Sequence, residues 1–288
     1  MKNEKLYMLW SRIGGGFSVQ PSSGSVDLEK LIVRTAGTAP GDARLFWVSA
    51  SWLAVHHNLV NTRRLSDRLE SAAALDLAVA GAMLSVARDA AGSATQLDSA
   101  LKHCRPLEEP RPLFDVVAES PLLTAKAKAG ALDVFRAWGF WQDDVSLRTD
   151  AIRPVQWVLA HCPEFQSRAV FGATLEADLV DLLAAAPSTV REMSAALKVT
   201  YSATHHAASK LLGRGWLRKT REGRRQVLAL RDEVRAWYEA FPTIERLQPL
   251  RVYPPCAILE PLHRCPLAFP RSSPGGDTGA GTDASRQA

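Results

Sequence analysis

Apolar residues recur at helical spacing over most of the first 240 positions. Between 43 and 70, Leu45, Val48, Trp52, Val55 and Leu59 return at three- and four-residue steps, which sets them in one stripe of a helix. An alanine-rich amphipathic stretch follows over 71–91, and shorter helical patterns cover 93–103, 113–118, 121–138 and 152–161. Alanine lets helices approach closely, so 43–168 is predicted to be a bundle-like helical domain. Further on, Leu175, Leu179, Leu182 and Leu183 give a helical face within 171–186. Val190, Met193 and Leu197 do the same for 190–197, and Thr204, Ala208 and Leu211 are the inner face expected of 201–212. The period then changes. Residues 216–219 and 226–230 read as strands, and 231–241 returns to helix with Val234, Trp237 and Tyr238 on its apolar side. The class this predicts is mostly α with a small β-hairpin.

Local signals sharpen the boundaries in the second half of the chain. Thr189 and Glu192 stand in the T-x-x-E relation of a capping box. Residues 198–200 suit a tight turn between helices, with Thr200 capping the second. Gly213 and Gly215 are placed to end that helix, and 220–225 is a glycine-containing hairpin loop. A proline-punctuated connection spans 105–112. The pattern of 1–42 fits short strands and helical turns equally, at 6–10 and 28–33, and leaves that segment's structure open. Gly14, Gly15 and Gly16 lack the spacing of a phosphate loop and read as a turn. The expected organisation is 1–42, a helical domain over 43–168, a domain over 169–241, an extension over 242–265, and a disordered tail over 266–288 rich in Pro, Gly, Ser and Thr.

Charge singles out one region. Residues 187–235 carry eleven Lys/Arg and four acids, a net of +7 in a chain whose total is +5, so the remainder nets −2. A local cationic excess is what phosphate neutralisation requires. Arg221, Arg224 and Arg225 cluster at the hairpin tip, where they would reach phosphates or a narrow minor groove. Ser202, His205, His206 and Ser209 fall on the outer face of 201–212, where they would meet base edges in a major groove. Thr200, Tyr201, Lys210, Arg214 and Lys219 complete the candidate DNA-binding set. The adjacent His205 and His206 diverge by about 100° around a helix and do not chelate one ion together.

The pieces REMSAAL, KLLGRGWL and REGRRQVLAL, in that order, resemble the winged helix-turn-helix superfamily of MarR-like and ArsR-like bacterial regulators. The resemblance covers about 171–240. It implies a DNA-binding transcriptional regulator with its recognition helix at about 201–212 in the major groove and a basic wing over 218–225 on phosphates. It also implies that the last helix of the region takes part in dimerisation. Winged helices serve as protein-docking modules too. The alternative is therefore an interaction protein, such as the antitoxin or adaptor of a two-component operon. Duplex DNA is the expected partner, with a homodimer and a protein partner left open.

Other chemistry finds little support. No nucleophile elbow, H-E-x-x-H, phosphate loop or G-S…D-x-D nucleotidyltransferase pattern occurs, so no enzyme activity and no cofactor are expected. Cys256, His263 and Cys265 lack a close fourth ligand, and no metal is expected. Trp138, Phe140, Trp141 and Trp157 either line an effector pocket or pack between helices. The most apolar long stretch, 72–87, carries Asp76 and is too short to span a bilayer. With four scattered cysteines and no export signal, the expected compartment is the cytoplasm.

Overall fold

The computed structural model describes residues 3–92, 96–223 and 225–240. It is mostly helical. The helices are α1 (Glu4–Arg12), α2 (Leu28–Ala36), α3 (Ala43–His56), α4 (Thr62–Leu69), α5 (Ala74–Ala90) and α6 (Leu97–Leu101), and then α7 (Asp115–Ala118), α8 (Pro121–Gly130) and α9 (Asp133–Arg136). Two-residue strands β1 (Arg111–Pro112) and β2 (Phe140–Trp141) pair in parallel around this last group. Next come α10 (Val155–His161), α11 (Gln166–Phe171), α12 (Leu175–Ala185), α13 (Val190–Leu197) and α14 (Tyr201–Gly213). The antiparallel strands β3 (Leu217–Glu222) and β4 (Arg225–Leu230) and the helix α15 (Asp232–Ala240) follow.

The core is built around α3, in which every residue from Leu45 to Ala54 is buried. The sequence stripe was too narrow here: α3 is apolar on all sides because α2 and α5 both pack on it, while Val55, assigned to the stripe, is 41% exposed. Its buried Ser49 and Ser51 donate to the carbonyls of Leu45 and Trp47, four residues back, at 2.7 Å each. The segment whose pattern left strand and helix open is helical. Asp27 caps α2 through the Lys30 amide, and Trp10 donates Nε1–H to Thr35 Oγ1 at 2.8 Å. Trp52 donates to the Ile13 carbonyl at 2.7 Å and meets Trp10 edge-on, so residues 3–42 contribute to the same core as α3.

Three other expectations need correction. The single helical pattern over 43–70 breaks at 57–61: Val60 is extended, and Asn61 Oδ1 accepts the Arg64 amide to start α4. The pattern over 121–138 breaks at Ala131 and Leu132, where Leu132 is extended and its N–H reaches the Gln142 carbonyl. The proline-rich connection contains β1, which pairs Arg111 with Phe140. The four aromatics of the supposed pocket have separate neighbours. Phe140 is 1% exposed in the core, Trp138 lies on Gly81 and donates to Ser85, Trp141 faces Lys128, and Trp157 stacks on His161. Asp143 pairs with Lys126, and Asp144 accepts from Gln142 and Ser146.

Leu179, Val180, Leu183, Met193, Leu211 and Leu230 are buried among α12–α15, outside the apolar cluster that runs from Leu6 to Phe165. Among the described residues no helix is long and apolar enough to cross a membrane. The cysteine–histidine set at 256–265 and the tail over 266–288 lie outside the described residues.

Candidate nucleic-acid interface

The region from α12 to α15 is assembled by short-range rules visible residue by residue. Thr189 Oγ1 accepts the Glu192 amide at 3.2 Å, and Glu192 Oε2 accepts the Thr189 amide at 2.8 Å, which closes the capping box that opens α13. These hydrogen bonds from the Thr189 backbone, then from its side chain, hold the Glu192 carboxyl below its ordinary range. Helix α13 ends at Lys198, the one described non-glycine residue with positive φ (52°). Around it Lys198 N–H bonds to Ala195 O and Val199 N–H to Ser194 O, the paired bonds of a left-handed helix exit. Thr200 Oγ1 then accepts the Ala203 amide at 3.2 Å and starts α14.

Helix α14 divides as its pattern predicted. Thr204, Ala208 and Leu211 are buried, joined by Ala207, and Thr204 Oγ1 donates to the Thr200 carbonyl. Thr200, Tyr201, Ser202, His205, His206, Ser209 and Lys210 are exposed. Tyr201, 57% exposed, stacks on His205 with ring centroids 6.1 Å apart. Gly215 (φ 74°) terminates the helix, with Trp216 N–H returning to Leu211 O at 2.9 Å. Gly213, assigned to the same task, is the last helical residue instead.

The hairpin is longer and its loop tighter than expected. Strands β3 and β4 pair from Leu217↔Leu230 out to Glu222↔Arg225, which leaves two positions between them. Gly223 has φ 61°, which two-residue hairpin turns favour at their first position. On its other side β4 receives Ser188, which exchanges two backbone bonds with Leu228 at 2.9 and 3.0 Å. Phe171, Trp216 and Trp237 meet edge-on beneath the hairpin base.

The basic residues fall into two groups. Lys210 reaches Glu176 at 3.4 Å, Arg218 reaches Asp232 at 2.8 Å, and Arg225 reaches Glu192 at 3.3 Å. Burial is the largest effect on the Glu176 carboxyl and raises it; bonds from Thr174, its own amide and Lys210 outweigh that and hold it low. Arg191, Lys198, Arg214 and Lys219 are exposed and form no ion pair among the described residues. Among the described residues Arg221 bonds to the Gly223 carbonyl, and Arg224 lies outside them. The outer face of α14 thus offers hydroxyl and imidazole groups, with cations along its ends and on the hairpin.

Sequence patterning missed a buried ionic cluster on the inner side of α12. Glu29, fully buried, accepts from Arg168 at 2.7 and 3.1 Å and from the Asn61 amide at 2.9 Å. Asp178, also buried, accepts from Asn61 Nδ2 at 3.1 Å and from Arg63 at 3.2 Å. The one signal for it was Asp178 interrupting an apolar helix face, which does not reveal its partners more than a hundred residues away. Among the described residues no group of three or more His, Cys, Asp or Glu is arranged to hold a metal. The chain matches no family model, no curated protein and no solved structure.

Proposed function

We propose that residues 169–241 are a winged helix-turn-helix that binds duplex DNA, and that the chain is a transcriptional regulator. The supporting order is helix α12, the Ser188 bridge, helices α13 and α14 joined by a three-residue turn, the hairpin, and α15. The observation that carries the proposal is the exposed face of α14, edged by cations that have no counter-ion among the described residues. In this function α14 enters the major groove and presents Ser202, His205, His206 and Ser209 to base edges. Arg191, Lys198, Arg214, Lys219 and Arg221 neutralise phosphates, and Lys210, Arg225 and Arg218 exchange their carboxylates for phosphates or stay structural.

The test is duplex binding measured against salt concentration. Each phosphate contact removed, as in Lys219→Ala or Arg221→Ala, lowers the slope of log K against log salt by about 0.9. Absence of binding at low salt overturns the proposal. Selection of sites from random duplex would show a palindrome if a homodimer binds.

A second function, as the protein-binding half of a pair, has its own observation. Val116, Leu122 and Leu123 on α7 and α8 are 63%, 79% and 43% exposed, and Ala127 is the only buried residue of α8. Such an exposed apolar group suits a protein surface. Leu122→Asp with Leu123→Asp would then abolish the association and leave duplex binding intact.

A further inference from the structure

We infer that Gly172 is a hinge and that Asp178 is the latch that holds the DNA-reading unit against the helical body. The two parts have separate apolar cores, one from Leu6 to Phe165 and one within α12–α15. The chain passes between them through α11, and only residues 172–174 separate α11 from α12. Gly172 holds φ 75° and ψ 162°, a backbone region that side-chain-bearing residues essentially do not enter. The angle between α11 and α12 therefore depends on a residue with no side chain to stiffen it.

Upstream of this point the chain is fixed to the body. Arg168 in α11 is 6% exposed, forks onto Glu29 of α2, and donates to the Leu59 carbonyl at 2.8 Å. Gln166 donates to the Leu159 carbonyl at 3.0 Å. Downstream, what ties α12 to α4 is polar. Asp178 takes Asn61 Nδ2 at 3.1 Å, Arg63 Nη2 at 3.2 Å and Arg64 Nη1 at 3.5 Å. Arg64 also lies 3.7 Å from Glu29 and 3.6 Å from Asp27, so one guanidinium spans carboxylates of the body and the reading unit. Arg63 and Arg64 remain about a third exposed, so solvent can receive them when they leave Asp178, whereas Asp178 is buried while latched. A buried carboxylate that loses its partners pulls toward water. With the latch open, α12 and everything after it turns about Gly172, and Phe171 at the end of α11, edge-on to Trp216 with centroids 4.7 Å apart, repacks against it. The latch is thus a regulatory point for the proposed DNA site: whatever draws Arg63 or Arg64 away frees the unit that reads DNA.

This inference rests on the DNA-binding proposal for what the unit does, but its test needs no DNA. Hydrogen exchange is followed in the full chain for wild type, Asp178→Leu and Arg63→Gln/Arg64→Gln. Leucine keeps the volume on α12 and removes the acceptor; the double variant removes the donors from partly exposed positions and carries the test if the leucine chain does not fold. The expected result is exchange about tenfold or more faster at 172–180, with the amides of 45–54 and 204–211 at wild-type rates. Unchanged exchange at 172–180, or equal acceleration in both cores, overturns the latch. A wild-type chain that binds no DNA overturns the DNA proposal alone and leaves the exchange result to decide the hinge.

Discussion

Arg225 Nη2 lies 3.3 Å from Glu192 Oε1, so the carboxylate that closes the α13 capping box also anchors the hairpin. Both side chains are solvent-exposed, at 72% and 47%, and such a pair adds little to stability. It matters more for charge: it neutralises a cation on the surface proposed to face phosphates. Glutamine at 192 retains an oxygen for the Thr189 amide and removes the charge. Glu192→Gln is expected to fold normally, to bind duplex DNA more tightly, and to steepen the salt slope by about 0.9 as Arg225 becomes available. A slope equal to wild type would mean that Arg225 either leaves Glu192 for a phosphate already in the wild-type complex or reaches none, and Arg225→Ala, which lowers the slope only in the first case, separates the two.

Lys198 sits at φ 52° and ψ 43° because the turn between α13 and α14 needs a left-handed residue there. Glycine adopts that conformation without the Cβ penalty, which is worth about 1 kcal/mol. Lys198→Gly is expected to raise the denaturation midpoint by an amount corresponding to about 1 kcal/mol or less and to weaken DNA binding. Opposite signs in the two measurements separate a structural role at this position from an electrostatic one.

Two helical glycines should respond in opposite directions. A Cβ on Gly81 would clash with the indole of Trp138 at Cε3, and the ring is further held by its Nε1–H bond to Ser85 at 2.9 Å. Gly81→Ala gains about 1 kcal/mol of helix propensity and loses about 1–3 kcal/mol to overpacking, and the rigid indole makes the loss the larger. A Cβ on Gly213 meets nothing within 4 Å. Gly213→Ala therefore shows the propensity gain alone. Chemical denaturation of the two variants beside wild type checks both signs.

The second half of the chain was more legible than the first because its rules are local. The capping box at Thr189, the Thr200 cap and the inner face Thr204, Ala208 and Leu211 each need only a few neighbouring residues, and all stand where their spacing put them. The hairpin was found but its loop was set too long, since Arg221 and Arg225 are polar residues whose strand pairing depends on the register across β3 and β4. In the helical body the determinants are distant. Asn61 starts α4, yet it owes its fixed place to Glu29 and Asp178. Trp10 and Trp52 join segments that local pattern assigned to different parts. Position along the chain does not encode such pairings, so the ionic cluster and the unity of 1–42 with the core were not readable. The residues proposed to face DNA were placed by helical geometry, which says which side chains are exposed and nothing about what they touch.

His56 gives the body a pH dependence whose sign is fixed by its surroundings. Burial lowers its pKa from 6.5 to about 4, against the opposing effect of its bond to the Arg153 carbonyl. That bond, 2.9 Å from Nε2 to the oxygen, requires the Nε2–H tautomer, and Nδ1 is buried with no partner among the described residues. Above about pH 6.5 the imidazole is neutral in both folded and unfolded chains and contributes no pH dependence. Between about 6.5 and 4 the unfolded chain binds a proton that the folded chain refuses, so stability falls as pH falls; below about 4 both states are protonated and the loss is complete. The full difference corresponds to about 3 kcal/mol. Asp181, whose carboxyl is raised mainly by burial, acts with the opposite sign in acid, so wild type is best compared with His56→Gln, which keeps Asp181 and can still donate to Arg153. Denaturation of the two proteins between pH 7.5 and 4 is expected to show wild type losing stability relative to the variant by about 3 kcal/mol across that window. Parallel curves would mean that His56 is protonated in the folded chain as readily as in the unfolded one.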